Sequence, residues 1–193
     1  MVRETRAESV SDVDEDLVVL VDARDAEVGV APKLAAHRDG RLHRAVSVVL
    51  FDDAGRVLLQ RRAGGKYHSG GLWSNTCCGH PRPGESVTDA ARRRLSNELG
   101  IEGANLVRVS DFVYFAQLDG GLVEHELDHV VIGRWTGPIA PDAGEVSETR
   151  WIEPDVLFAE LATACDRYTA WTDRVVRHAC LYGDALRIPG ESR

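Results

Sequence analysis

The sequence predicts an α/β or α+β sandwich. Three observations carry that prediction: strand-like stretches fill most of the chain, one segment of helical period interrupts them, and two further helical segments close it. With 193 residues there is enough chain for one sizeable core and no room for two folds of ordinary size. Hydrophobic residues make up 44% and charged residues 28%, the balance of a globular chain rather than a disordered or membrane-spanning one. Apolar runs such as 46–51 are far too short to cross a bilayer.

Residues 1–16 are rich in acids and hold no apolar stretch of the signal-peptide kind, so they are expected to form a flexible tail. A single domain over 17–185 follows, with 186–193 as a C-terminal tail. Within the domain, 17–23 (LVVLVDA) reads as a strand. Segments 44–51 and 56–60 read as a hairpin around Asp52-Asp53-Ala54-Gly55. Residues 61–83 are rich in Gly, Ser, Asn and Pro and have neither period; a loop this long inside a compact domain is usually functional.

Helical spacing then appears over 86–99, with Ser86 as N-cap, Asp89 in the first turn and Gly100 as the stop. Val87, Ala91 and Leu95 mark its buried stripe, and Arg94 and Glu98 fall inside that stripe. Charged groups there are costly unless paired or bound to metal; the plain alternative is an i,i+4 ion pair on a half-exposed face. Segments 107–118 and 122–135 read as strands around Asp119-Gly120-Gly121, and 150–152 as another short strand. Helices are expected over 154–165 and 171–182, the second with Trp171, Val175 and Ala179 on one face.

Thirty-one acidic residues against 23 basic ones give a net charge of −8, which argues against non-specific binding to nucleic acid or an anionic membrane. An anion must therefore be met by a local basic cluster. Arg61-Arg62, Lys66 and Arg94 are candidates, although such runs are often solvated surface. Cys77, Cys78, Cys165 and Cys180 make no disulfide framework, so the expected compartment is the reducing cytoplasm.

Asp39-Gly40 is a turn signal between His37 and His43, His80 follows the Gly-rich loop, and Glu124 and Glu126 project from one face of a strand. Three imidazoles and two carboxylates would suit Zn, Mn or Fe rather than Ca, although each residue alone has an ordinary structural explanation. Cys78 has three readings. It is a small buried hydrophobe, a zinc ligand with Cys77 and His80, or a catalytic thiol.

Residues 79–101 (GHPRPGESVTDAARRRLSNELGI) resemble the Nudix box, with matches at Gly79, Glu85, Arg93, Leu95, Glu98, Gly100 and Ile101. Two of the box's glutamates are replaced, by Arg94 and Asn97. Those glutamates hold the metals that activate water in Nudix hydrolases, so the resemblance implies a Nudix-like sandwich of mixed sheets flanked by helices, without the hydrolase activity. Ala36-His37, Arg41-Leu42-His43, 73–81 (WSNTCCGHP) and Glu124-His125-Glu126 resemble one branch of that superfamily, the type I isopentenyl diphosphate isomerases. The match runs from about residue 17 to about 182.

Carried over position by position, the resemblance implies one divalent metal, Mn, Zn or Mg, on His37, His43, His80, Glu124 and Glu126. It implies a second site in which Glu98 and the Cys78 carbonyl share Mg with the substrate diphosphate. Lys33, Arg62, Lys66 and Arg94 match diphosphate-binding positions, and Lys33 and Lys66 are this chain's only lysines. Cys78 and Glu126 match the catalytic pair, with Tyr114 beside Glu126 and Trp171 facing a carbocation-like intermediate. Moving an alkene double bond needs a positioned acid and a base, and an indole face stabilises a desolvated cation by roughly 2 kcal/mol.

The implied reaction is interconversion of isopentenyl and dimethylallyl diphosphate in isoprenoid biosynthesis. The expected partner is a small-molecule diphosphate, with no nucleic acid or membrane, and a monomer is expected, with a dimer as the alternative. A Nudix hydrolase of nucleoside diphosphates and a non-catalytic metal-binding module are the competing readings. The departures at Arg94 and Asn97 count against the first.

Overall fold

The apolar run that ends at Phe51 forms β3 (His43–Phe51), the strand around which a nine-stranded sheet is assembled. The computed structural model describes residues 17–66 and 68–183, so both expected tails, 1–16 and 186–193, lie outside the described residues. Along one edge, β3 runs parallel to β8 (Val123–Arg134), in register from His43 opposite Glu126 to Phe51 opposite Arg134. Its other edge is shared in turn by Leu20 of β1 (Leu17–Val21), by β6 (Cys77–Gly79) and by Val57 of β4 (Val57–Arg62). The remaining strands extend the sheet: β2 (Glu27–Pro32) on β1, β7 (Leu106–Gln117) on β8, and β5 (Trp73–Ser74) and β9 (Val146–Ile152) on β4.

Both faces of β3 are covered, which is why its sequence is a near-continuous apolar run instead of an alternation. Val46, Val48 and Leu50 pack with Ala90, Ala91, Leu95 and Leu99 of α2 (Val87–Leu99). Val49 and Phe51 pack with Leu157 and Leu161 of α3 (Pro154–Thr163) and with Val175, Val176 and Ala179 of α4 (Thr172–Tyr182). The helix that precedes them in the chain, α1 (Lys33–Asp39), lies next to β1, β2 and β8. Each fully buried leucine, such as Leu50 or Leu95, stabilises this α/β/α sandwich by roughly 1.5–3 kcal/mol.

α2 begins and ends where its sequence signals place it. Ser86 Oγ accepts the Asp89 main-chain N–H at 3.1 Å, and Gly100 closes the last turn.

Several elements differ from the sequence expectation. β3 and β4 leave the Asp52 turn as a hairpin but share only the pair Phe51–Val57, because each then finds a longer partner. Within 61–83, β5 and β6 exist only through pairing with β4 and β3, a tertiary condition that local period does not report. β2 and α1 are short and lack a clear period; sequence reasoning did not find them. α3 stops at Thr163 and gives way to a 3-10 turn over Cys165–Arg167. Among the described residues no helix is long and apolar enough to cross a membrane.

Candidate active site

His43 opens β3 in register with Glu126, so strand pairing alone sets an imidazole beside a carboxylate. α1 ends at Gly40, whose φ of 63° is a left-handed turn that a side chain would strain. That turn reverses the chain into β3 and brings the His37 and His43 rings to 4.7 Å. Just past β6, His80 places its Nε2 3.2 Å from His43 Nε2 and 2.8 Å from Glu126 Oε1. The Nδ1 atoms of His37 and His43 each face a main-chain carbonyl at 2.8 Å, those of Lys33 and Arg41, which turns both Nε2 atoms toward the shared centre.

One ligand atom each from His37, His43, His80 and Glu126 lies within 4.8 Å of all the others. Two imidazole nitrogens 3.2 Å apart and both aimed at one carboxylate oxygen are a poor neutral hydrogen-bond set but a good N/O donor set for a divalent cation. The residues therefore fit a metal. Glu124 Oε2 is 3.2 Å from His37 Nε2, adjoining that group without belonging to its four atoms.

Burial drives the His80 imidazole well below its ordinary range, reinforced by His43 and Lys33. Burial also pushes the Glu126 carboxyl up, but the His43 imidazole against it wins and holds it at about 2. Across the β7–β8 ladder Tyr114 sits opposite Glu126 and donates its phenol O–H to Glu126 Oε2 at 2.6 Å.

Cys78 on β6 pairs with Ser47 on β3, and its thiol opens into the same cleft as Glu126 and Tyr114. Burial, with Asp128 nearby, pushes that thiol up to about 12. Asp128 is 1% exposed and accepts the Ser47 hydroxyl at 2.8 Å; burial and the Glu126 charge raise it well above the carboxylate range. Sequence reasoning stopped at Glu124 and Glu126, yet one more step of the strand period would have reached Asp128.

Lys33, Arg62, Lys66 and Arg94 all line this cleft. Burial, with Arg94 and Lys66 close by, lowers the Lys33 amine below its ordinary value. Arg61, next in sequence, is not among the cleft residues: neighbours on a strand face opposite ways, and it pairs with Glu148 at 2.7 Å. Arg94 and Glu98 do form the i,i+4 ion pair, but Glu98 is buried and not half exposed.

Arg94 Nε also donates to the Cys78 carbonyl at 3.2 Å and to Glu98 Oε1 at 2.8 Å. The two oxygens expected to share a second cation are thus brought together on a guanidinium. Gly79 makes that approach available, since a Cβ there would stand 2.9 Å from Arg94 Cδ. Glu145, which sequence reasoning missed, forms ion pairs with Lys66 and with Arg94.

Trp171 caps the start of α4 at 4% exposure and lines the cleft. The Arg62 guanidinium carbon is 5.8 Å from its ring centroid. His68, also missed, packs edge-on to Trp171 at 6.0 Å, and burial lowers its imidazole to about 4.

Residues 41–175 match the model of the NUDIX domain family. A curated isopentenyl-diphosphate Delta-isomerase of Burkholderia multivorans is 47% identical over 167 residues, covering 86% of this chain and 94% of the relative. One from Nocardia farcinica is 51% identical, covering 84% and 93%, and isopentenyl-diphosphate Delta-isomerase 1 of Aromatoleum aromaticum is 48% identical, covering 90% and 99%. Among solved structures, a Deinococcus radiodurans protein aligns with a TM-score of 0.69 at 21% identity, covering 83% of this chain and 98% of its own. A MutT protein from Methanosarcina mazei aligns at 0.57 and 18%, covering 72% and 94%. At such identities these two speak for the fold alone.

Proposed function

The chain belongs to the Nudix family and, within it, to the isopentenyl-diphosphate Delta-isomerases, and from that premise we propose that the Cys78–Glu126 cleft is where it interconverts isopentenyl and dimethylallyl diphosphate. The enzyme is an isomerase acting on a small-molecule diphosphate, and its family implies a divalent metal. One observation carries the assignment of the cleft: the Cys78 thiol and the Glu126 carboxylate open into one pocket that Lys33, Arg62, Lys66 and Arg94 also line.

Isomerisation adds a proton to the terminal methylene of isopentenyl diphosphate, leaves positive charge on C3 and removes a proton from C2. No other bond is made or broken, so the diphosphate ester stays intact. The pair Cys78 and Glu126 has one proton to give and one site to receive it, and the Tyr114 hydroxyl, 2.6 Å from Glu126, can pass a proton along. Lys33, Arg62, Lys66 and Arg94 would hold the diphosphate at one end, and Trp171 would offer its π face to the developing cation at the other.

His37, His43, His80 and Glu126, with Glu124 adjoining, would hold one cation, Mn, Zn or Mg; Glu98 and the Cys78 carbonyl would share Mg with the diphosphate. Such cations supply positive charge that fixes the carboxylates in their ionised form and neutralises the substrate's phosphates. A single domain over 17–185, a monomer or alternatively a dimer, belongs to the same proposal, in which the acidic charge speaks against a nucleic-acid partner and the cysteine usage for the cytoplasm.

Incubation with isopentenyl diphosphate and Mg in deuterated water, followed by NMR, tests the reading. Deuterium is expected in the methyl group and at C2, with substrate mass otherwise conserved. Release of monophosphate or inorganic phosphate with no dimethylallyl product would establish a hydrolase instead, and metal binding without turnover would establish a binding module. Cys78→Ala is expected to abolish exchange at both positions while leaving bound metal unchanged. Metal loss in that variant would make Cys78 a structural ligand.

A further inference from the structure

Two groups that line the cleft, the Cys78 thiol and the Trp171 indole, are joined by an unbroken hydrogen-bonded chain. Trp171 Nε1–H donates to Ser74 Oγ at 3.1 Å. The Ser74 hydroxyl donates to Asn75 Oδ1 at 3.1 Å, and the same Oδ1 accepts the Cys78 S–H at 3.1 Å. Ser74 and Asn75 are wholly buried. The Asn75 amide cannot flip without breaking two further bonds, since its Nδ2 donates to the carbonyls of Val48 at 3.0 Å and Cys77 at 2.9 Å. Both amide hydrogens are therefore committed to β3 and β6, and Oδ1 is held as a two-fold acceptor for Ser74 and Cys78. Thr169 Oγ1, 3.3 Å from Ser74 Oγ and 2.7 Å from Thr172 Oγ1, ties the chain to the start of α4.

The side-chain bonds of Ser74 and Asn75 themselves go neither to the basic rim nor to the His/Glu group; only the ends of the hydrogen-bonded chain touch that rim, Cys78 through its carbonyl on Arg94 and Trp171 through its ring beside Arg62. What it does fix is the distance and direction between an S–H and a π face. We infer that Ser74 and Asn75 are positioning residues of the isomerisation: they set the thiol and the indole at a fixed separation, so that the proton site and the cation-stabilising face act on the same carbon skeleton. The inference rests on the isomerase reading above. A misplacement of about 1 Å in such a pair costs on the order of a hundredfold in rate.

Ser74→Ala removes the acceptor of the Trp171 N–H and the donor to Asn75 while leaving Cys78, Trp171 and every metal ligand in the sequence. In the magnesium-loaded enzyme, kcat is expected to fall roughly 10- to 100-fold. KM and metal content should stay within about twofold, and Ser74→Thr, which keeps the hydroxyl, should recover most of the rate. Wild-type indole N–H resonances provide a readout that does not depend on any variant folding. The Trp171 signal, assigned by its loss in Trp171→Phe, should exchange slowly with solvent. A fast-exchanging Trp171 N–H in the wild type, or a Ser74→Ala enzyme with wild-type kcat, overturns the inference. A wild-type enzyme that does not turn over isopentenyl diphosphate overturns the isomerase reading instead, whatever the indole resonance shows.

Discussion

Glu145 illustrates how much a single side chain changes the charge the cleft presents. Burial pushes its carboxyl up, but the hydrogen bond from Lys66 outweighs that and holds it below the usual range. Lys66 and Arg94 are thus already paired with Glu145, an anion that would compete with the proposed diphosphate for them. Removing that competitor should strengthen diphosphate binding. Half-exposed pairs are worth at most about 1 kcal/mol, so Glu145→Gln is expected to tighten inorganic diphosphate binding about two- to fivefold at low salt. Titration calorimetry reads this directly, and weaker binding by the variant would show that Glu145 aids the ligand instead of opposing it. At this scale the histidines, Cys78 and the basic positions are legible as types with characteristic spacing. Glu145 and His68 are not, because an acidic residue in a turn and a lone loop histidine have no local signature of their own, whereas Asp128 lay one step further along the strand period of Glu124 and Glu126.

At the scale of elements, the segment that carries the Nudix-box residues is tied to the His/Glu group through Glu85. Its two carboxylate oxygens take Arg93 Nε at 2.8 Å and Arg93 Nη2 at 2.7 Å, and the same Nη2 donates to the His80 carbonyl at 3.1 Å. Burial raises the Glu85 carboxyl, but the Arg93 bond and the Arg82 main-chain N–H prevail and leave it depressed. A depressed carboxyl contributes stability that is fully present above its unfolded value, about 4.3, and is lost as pH falls through the lower folded value. The melting temperatures of wild type and Glu85→Gln should therefore differ by a constant amount from pH 7 to about 5.5 and converge below about 4. A gap that persisted unchanged to pH 3 would assign the effect to packing. The box segment was legible because the cap at Ser86, the stop at Gly100 and the apolar stripe are all local; β5 and β6 were not, because each is a strand only by virtue of its partner.

For the whole molecule, the His/Glu group joins α1, β3, β8 and the segment after β6, so a cation bound there would clamp β3 and β8 to α1. Binding to the folded state alone adds about 2.7 kcal/mol of stability when free metal is a hundred times its Kd. For a chain of this size that is roughly 5–10 °C in melting temperature. Chelation should produce a drop of that order, reversed by adding the divalent ion, and a melting temperature indifferent to chelator would remove the group as a metal site. The amino-acid sequence by itself determined the sandwich class and the limits of α2, which are written in local period and caps, and its spaced motifs carried the family resemblance from which the residues expected at the site were named. Only the tertiary structure decided that β3 lies parallel to β8, so that His43 meets Glu126. It also decided that Arg94 spans Glu98 and the Cys78 carbonyl, and that Ser74 and Asn75 link Cys78 to Trp171. Those are contacts between residues far apart in the chain, settled by register and packing, and no local pattern contains them. The Cys78–Glu126 pair is therefore readable as two residues in the sequence, and becomes a single site only when β6 and β8 pair with the two edges of β3.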